Sequence, residues 1–232
     1  MPPAGNDYLY REVMRRVFKG ANFPSVREIV PEGQIDGWAV EHFEIDTKES
    51  EKTATKALFA RDEWGAVPPG KYARLVHQGC DVVMSDTWME RETCAYFVDE
   101  ARGRAIIGGL GLGMILPPIL SLDRVTEVTV LEKHPAVRML VEFPLRTWVD
   151  ENISPVAADK LKVITADVFE YKPPKKARWD VALWDIWTDR TTDNLAEMRR
   201  LRARWAKHVH SVNQLCWFEQ ELKRMKRDDD EY

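Results

Sequence analysis

The chain has 232 residues, of which 44% are hydrophobic, so it is long enough to form one large domain, or one domain with a small appendage. Its net charge of −4 argues against nucleic acid as a partner, and no apolar run approaches the roughly 20 residues that a membrane-spanning helix needs. The polar residues 1–18 do not have the pattern of a signal peptide. The sequence therefore predicts a cytoplasmic protein that binds neither a membrane nor nucleic acid.

The cysteines are spaced too far apart to suggest a shared structural role. Cys80, Cys94 and Cys216 form no C-x-x-C pair, and none has a histidine at a metal-binding spacing. This argues against a disulfide framework and against a zinc site, and favours buried thiols in a reducing compartment. We expect no metal ion.

Residues 1–100 are predicted to form a small α+β extension. The pattern favours a helix over 7–18, β-like runs at 26–30 and 38–45 around a turn, and a helix over 47–61 with Thr47 as its N-cap. A hairpin is expected from 71–78 and 81–84, joined near Gly79. Thr87 and Glu90 have the spacing of a capping box for a helix over 85–101.

Residues 101–190 have the sequence pattern of a Rossmann-like α/β core, which is a mostly parallel sheet flanked by helices. Apolar runs at 105–107, 125–132, 161–167 and 179–185 alternate with helical stretches. No strand is recognisable after Asp185, so residues 191–232 are predicted to be helical. Because 187–232 contain no glycine to introduce a further hairpin, we expect the sheet to stop at five strands. Its edge would be covered by the C-terminal helices or by a second copy in a homodimer.

The first element of a candidate site is the glycine-rich turn after residues 105–107. Gly109, Gly111 and Gly113 alternate with leucines and lead into an apolar helix start. Glycines at these positions permit a tight turn and let a ligand approach bare backbone, next to the N–H groups of the following helix. The alternative is a tight turn that binds nothing.

Three acidic residues end the other predicted strands. Glu132 comes 21 residues after Gly111, where a carboxylate commonly holds a ribose diol; a solvated glutamate is the alternative. Asp167 can accept from an adenine amino group and the N–H of Val168 can donate to the ring, although Asp167 could instead cap a turn. Asp185 ends the fourth strand and is the candidate catalytic residue, or else a structural aspartate at a helix start.

The segments GGLGLGM, VTVLEKHPAV, LKVITADVFEY and WDVALWDIW, in that order, resemble motifs I to IV of the class I S-adenosylmethionine (SAM) dependent methyltransferases. The resemblance covers 103–187 and is nearest to the spermidine-synthase-like branch; it is weaker over 70–102, and the stretch VMSDTWMER also looks like methyltransferase-like proteins of bacteriophages. It implies SAM as cofactor. Asp185 would bind its ammonium or orient the acceptor, and Trp187 or Trp88 would shield its sulfonium.

At two positions the sequence differs from the motifs of the spermidine-synthase-like branch, and both differences concern the reaction that is catalysed. The aminopropyltransferases of that branch have an aspartate where this chain has Leu112, and a second acid after the fourth strand that is missing from its expected place here. These losses argue against polyamine synthesis. The first hypothesis is therefore methyl transfer to an acceptor that is a small molecule or remains unidentified. The alternatives are aminopropyl transfer, a non-catalytic nucleotide-binding or assembly protein, and an NAD-binding fold.

Overall fold

A computed structural model describes residues 23–60, 62, 64–78 and 82–230. The helix predicted over 7–18 and the turn predicted near Gly79 lie outside these ranges. The strands are β1 Gly33–Ile35, β2 Trp38–Ile45, β3 Gly70–His77, β4 Val82–Ser85, β5 Gly103–Gly108, β6 Val125–Glu132, β7 Leu161–Thr165, β8 Val181–Trp184 and β9 Gln214–Cys216. The helices are α1 Val26–Ile29, α2 Thr47–Ala60, α3 Trp88–Glu100, α4 Leu116–Leu120, α5 Pro135–Asn152, α6 Pro155–Asp159, α7 Asn194–Trp205 and α8 Glu219–Asp230, with a 3₁₀ turn at Ser211–Asn213.

A parallel sheet in the order β7-β6-β5-β8-β9 forms the centre of the fold. Ile107 of β5 lies between Val130 of β6 and Leu183 of β8, and all three side chains are buried. Because helices cover both faces of such a sheet, its strands are apolar almost throughout. The four strands predicted from the apolar runs, and with them the α/β class, are confirmed.

The prediction of a wholly helical C-terminus is wrong, because β9 adds a fifth strand beside β8. This strand has only three residues, and it begins with a polar one, so it gives no apolar run to recognise. The amide of Gln214 makes the strand possible in the core. It accepts from the Trp184 indole at 3.2 Å and donates to the carbonyls of Arg202 and Val209 at 3.1 and 3.2 Å.

The extension forms a second, antiparallel sheet in the order β1-β2-β3-β4. The β1–β2 turn consists of Asp36 and Gly37, both with positive φ (48° and 81°), as a two-residue hairpin of this twist requires. Residues 26–30, predicted as a strand, instead contain helix α1, and the strand is Gly33–Ile35, inside the predicted turn. A run of five residues with Val26 and Ile29 buried fits one helical turn as well as a strand, so the pattern could not decide.

Neither capping interaction predicted in the extension forms. Asp46 caps α2 by accepting from the Glu49 N–H at 2.7 Å, and Thr47 is already helical. Thr87 occupies the N-cap position of α3, but its hydroxyl makes no capping bond and pairs with the Ser85 hydroxyl at 3.0 Å. The capping box therefore does not form, which leaves the Glu90 side chain available for another role.

A buried carboxylate joins the extension's elements to each other. The Asp86 side chain, which is fully buried, accepts from the N–H groups of Val26 at 3.2 Å and Ala73 at 2.7 Å, and it pairs with Arg91 at 3.0 Å. The extension also reaches the core, since Trp38 of β2 packs on His134 at the start of α5, with ring centroids 4.6 Å apart. The antiparallel sheet is thereby fixed beside the carboxyl edge of the parallel sheet.

Candidate functional site

A cavity of about 520 Å³ lies at the carboxyl ends of β5, β6 and β8. Its position is the crevice where the strand order reverses between β5 and β8, which is where open parallel sheets bind ligands. The volume falls in the range of small-molecule sites. Seven of the predicted site residues line it: Gly109, Gly111, Glu132, Asp167, Val168, Asp185 and Trp187.

The glycine turn forms one wall of the cavity, and its first two glycines are required by close approaches. Gly109 has a φ of 92°, and a side chain there would overlap the carbonyl oxygen of Asp185. Gly111 has a φ of 50°, and a side chain there would overlap the Met84 sulfur. Gly113, predicted to bind the cofactor, does not line the cavity; a Cβ at this position would lie 2.9 Å from Leu145 of α5. The third glycine therefore serves helix packing.

Glu132 holds the glycine turn in place. Its carboxylate is 5% exposed, accepts from the N–H of Leu110 at 2.8 Å through Oε2 and from the N–H of His134 at 2.7 Å through Oε1. Each carboxylate oxygen has a second acceptor position, so both oxygens can also receive a hydroxyl from a ligand. The geometry thus gives Glu132 a structural role and leaves the predicted ribose contact as a prediction.

Asp167 lies on the same side of the cavity as Glu132. Its Oδ1 accepts from the Phe169 N–H at 2.7 Å, and Oδ2 pairs with Lys133 at 3.1 Å. Burial acts to raise the pKa of Asp167, but the Phe169 N–H and Lys133 outweigh it and hold that pKa below its usual value. The side chain is therefore an ionised acceptor. Val168 beside it is buried, and its carbonyl accepts from the Trp205 indole at 3.1 Å.

A second acid meets Asp185 in the cavity, and it was not predicted as a site residue. Glu90 of α3 is 8% exposed and lines the same cavity as Asp185. Burial raises the pKa of Asp185 to about 7, against a small opposing effect of the Cys94 thiol, whose sulfur lies 3.9 Å from Oδ2. Burial and the charge of Asp185 together raise the pKa of Glu90 to about 8, although the Ser85 N–H and Arg190 act in the opposite direction.

Cys94 is not a nucleophile in this arrangement. Burial, followed by the negative charges of Asp185 and Glu90, raises the pKa of its thiol well above the usual value. The thiol is therefore protonated at neutral pH, and its function is to donate weakly to Asp185.

The remaining walls are largely apolar, and the extension supplies part of them. Trp38, Leu75, Val83 and Met84 line this part of the cavity. The Met84 sulfur accepts from the N–H of Leu112 in the glycine turn at 3.2 Å. Such N–H···S contacts are weak, so a ligand that needs this N–H can displace the flexible thioether.

The structure separates the two tryptophans predicted to shield a sulfonium. Trp187 lines the cavity, and its indole donates to Glu197 at 2.9 Å. Trp88 does not line it; its ring stacks on Trp64 with centroids 5.2 Å apart, and its indole donates to the carbonyl of Ala66. Of the two tryptophans, therefore, Trp187 is the one placed to shield a sulfonium in the cavity.

The described residues, with the gaps given above, contain no group of three or more His, Cys, Asp or Glu side chains placed to hold a metal ion. None of the helices within them is long and apolar enough to cross a membrane.

Comparison with known proteins gives similarity in structure only. No family model matches the sequence, and no curated protein matches it significantly. Among solved structures it is similar to the methyltransferase domain of bacterial CtHen1-CN, with 13% identity and a TM-score of 0.28 over 35% of this chain and 40% of that one. It is also similar to the mitomycin 7-O-methyltransferase MmcR, with 20% identity and a TM-score of 0.33 over 53% and 35%.

A third solved structure is a reductase domain from the aureusimine biosynthetic cluster, with 12% identity and a TM-score of 0.32 over 47% of this chain and 31% of that one. The chain spans less than half of the length of each of these three proteins. Likeness at these scores is confined to part of the fold and does not distinguish a transferase from a reductase.

Proposed function

We propose that the protein binds SAM in this cavity and transfers its methyl group to a small-molecule acceptor. The observation that carries the proposal is the meeting of the glycine turn, Glu132, Asp167 and Asp185 at one cavity, outside the carboxyl ends of a parallel sheet. An NAD site would share the glycine turn and Glu132. Asp167 followed by Val168 after the third strand, as in the motif that the sequence resembles, favours SAM over NAD.

The residues present fit this cofactor. The bare backbone of Gly109 and Gly111 leaves room for a ligand that a side chain would fill, and the cavity volume of about 520 Å³ fits a nucleoside-sized ligand. Glu132 would accept the ribose hydroxyls, Asp167 would accept the adenine amino group, and Val168 would lie against the ring. Bound SAM supplies an activated methyl group, so no covalent help from the protein is required.

The chain's own contribution is to align the acceptor and to exclude water. Asp185 lies where an acceptor's nucleophilic atom can hydrogen-bond to it, and its raised pKa suits it to take up a proton near neutral pH. The apolar walls formed by Trp38, Met84 and Trp187 keep the site dry, which strengthens that hydrogen bond. Positioning of this kind accounts for much of the acceleration in transfer reactions.

Calorimetric titration with SAM, S-adenosylhomocysteine and NAD tests the binding half of the proposal. We expect both SAM-type ligands to bind with micromolar dissociation constants and NAD to bind at least tenfold more weakly. Preference for NAD would overturn the proposal.

Mass spectrometry of small molecules incubated with the protein and methyl-deuterated SAM tests the transfer half. A gain of a deuterated methyl group is the expected result. Aminopropyl transfer is the second candidate, favoured by the presence of two acids in the cavity, Glu90 and Asp185, and it would require decarboxylated SAM and add an aminopropyl group instead.

A further inference from the structure

The two acids of the cavity lack the cation that buried carboxylates normally have. Glu90 is more than nine-tenths buried, yet among the described residues it forms no ion pair; its carboxylate receives the Ser85 N–H. Asp185 is only partly buried, but it too lacks an ion pair, and the Cys94 thiol at 3.9 Å is the only hydrogen-bond donor to its side chain within the described ranges. Burial without a positive partner strongly disfavours the ionised form of a carboxylic acid.

The cations near the cavity are held by other anions. Lys133 pairs with Asp167 at 3.1 Å, and Arg200 pairs with Glu197 at 3.1 Å. Arg190, the cation whose charge reaches Glu90, pairs with Asp62 at 3.2 Å and lies over the Phe218 ring. None of these three cations is free to pair with Glu90 and Asp185, and among the described residues that place is left for a ligand.

The position of Glu90 indicates which ligand this is. Glu90 belongs to α3, which directly follows the hairpin of the extension, and the extension also supplies the apolar wall of Trp38, Leu75 and Met84. The residues assigned to the nucleoside, in contrast, all come from the parallel sheet. A ligand that meets both the wall and the acids has an apolar body and a positively charged end.

We propose that the acceptor is an amine with an apolar or aromatic body, and that Glu90 is a second catalytic residue that holds its nitrogen together with Asp185. The inference rests on the proposed function and names its substrate class. The protonated nitrogen first gives one proton to a carboxylate. Its lone pair then forms the new N–C bond while the S–C bond of SAM breaks, the electron pair staying on sulfur. The carboxylate's proton leaves to solvent.

A binding experiment with matched amine and alcohol probes tests the inference without a known substrate. The probes are tryptamine with tryptophol, 2-phenylethylamine with 2-phenylethanol, and hexylamine with hexanol. Each is titrated into the protein saturated with S-adenosylhomocysteine. In at least one pair we expect the amine to bind tenfold or more tightly than its alcohol, equivalent to about 1.4 kcal/mol.

Glu90→Gln should abolish this preference while leaving the affinity for S-adenosylhomocysteine unchanged. Glu92→Gln is the matched control, because Glu92 lies on the same helix, carries the same charge and does not line the cavity; it should retain the preference. The inference is overturned if no amine is preferred over its alcohol, or if Glu90→Gln keeps the preference.

Glu90→Gln could also weaken S-adenosylhomocysteine itself. Glu90 would then hold the cofactor's ammonium group, and the inference would be wrong. Failure of the proposed function gives a different result, because the wild-type protein would then not bind S-adenosylhomocysteine at all.

Discussion

The two sheets contribute differently to one cavity. The parallel sheet places glycines and acids at the ends of its strands, where the chain must turn and where ligands gather. The antiparallel sheet of the extension contributes Trp38, the first residue of β2, and Met84 inside β4, and helix α3 contributes Glu90. The first set suits a nucleoside and the second an acceptor, which suggests that cofactor binding and acceptor choice are separable by mutation.

The largest expected effect is at the contact between the two sheets. Gly111→Val should eliminate SAM binding, because a side chain there requires a disfavoured φ and overlaps both the ligand space and the Met84 sulfur. Circular dichroism should show near-native helix content, and calorimetry should show no binding. A variant that binds SAM normally would mean that the cofactor lies elsewhere.

Met84→Ala separates the two causes of the Gly111 effect. Alone, it frees the Leu112 N–H and should bind SAM at least as tightly as the wild type. Combined with Gly111→Val, it should not restore binding, since the φ of 50° remains unfavourable for valine. Restored binding in the double variant would show that Met84 alone made glycine necessary.

Substitution of Asp185 tests whether this residue binds the acceptor or the cofactor. Asp185→Asn keeps the shape of the side chain and removes the charge, so turnover should fall about a hundredfold or more while SAM affinity stays nearly intact. Asp193→Asn, an exposed aspartate after the same strand, is the control. A parallel loss of affinity would assign Asp185 to the ammonium group of SAM, and no change in either would make it structural.

Glu132 is expected to show a smaller effect on binding and an additional one on stability. Glu132→Ala should weaken SAM binding at least tenfold, about 1.4 kcal/mol, and leave the protein folded. The structure adds that the N–H groups of Leu110 and His134 lose their acceptor, so the melting temperature should fall by a few degrees. Unchanged affinity would refute the ribose contact.

Two further variants, Glu127→Ala and Asp167→Ala, serve as comparisons for Glu132→Ala. Glu127→Ala, on the same strand, removes a partly exposed carboxylate paired with Arg104 and Lys162, and it should change neither quantity much. Asp167→Ala should cost less binding than Glu132→Ala, because one hydrogen bond to an amino group contributes about 0.5–1.5 kcal/mol net. Complete loss of binding in Asp167→Ala would reverse this ranking.

The smallest effect is on the pH dependence of stability. Glu90 has its pKa raised to about 8 in the folded protein, from 4.5 when unfolded. Between these values the folded state binds more protons than the unfolded state, so the free energy of unfolding should fall as pH rises from about 4.5 to 8 and then level off. Asp185 should add to this fall between 3.8 and about 7.

Urea denaturation of the ligand-free protein at pH 5, 6.5 and 8.5 measures this slope. In Glu90→Gln, the free energy of unfolding should change less between pH 5 and pH 8.5 than in the wild type, by about 1 kcal/mol or more. Glu92→Gln should show the same change as the wild type. An equal slope in Glu90→Gln and the wild type would mean that Glu90 titrates normally.

Much of the parallel sheet could be predicted from local sequence. Apolar runs mark strands that are buried on both faces, and the last residue of each run lies at the carboxyl edge, so Glu132, Asp167 and Asp185 could be placed at one edge without a structure. The strand β9 could not, because three residues beginning with Gln214 carry no periodic signal and pair with β8 only through the surrounding core.

The acceptor side of the cavity was decided by tertiary structure alone. Trp38 and Glu90 are separated by 52 positions and belong to different elements, so no spacing in the chain relates them to each other or to Asp185. The spacing of Thr87 and Glu90 favoured a capping box, yet packing of α3 against the parallel sheet turned Glu90 into the cavity instead. By itself the sequence determined which backbone turn and which acids lie at one edge of the sheet, because those positions follow from strand ends. Which other side chains complete the cavity depended on how the antiparallel sheet docks, and docking is set by long-range packing that no local pattern records.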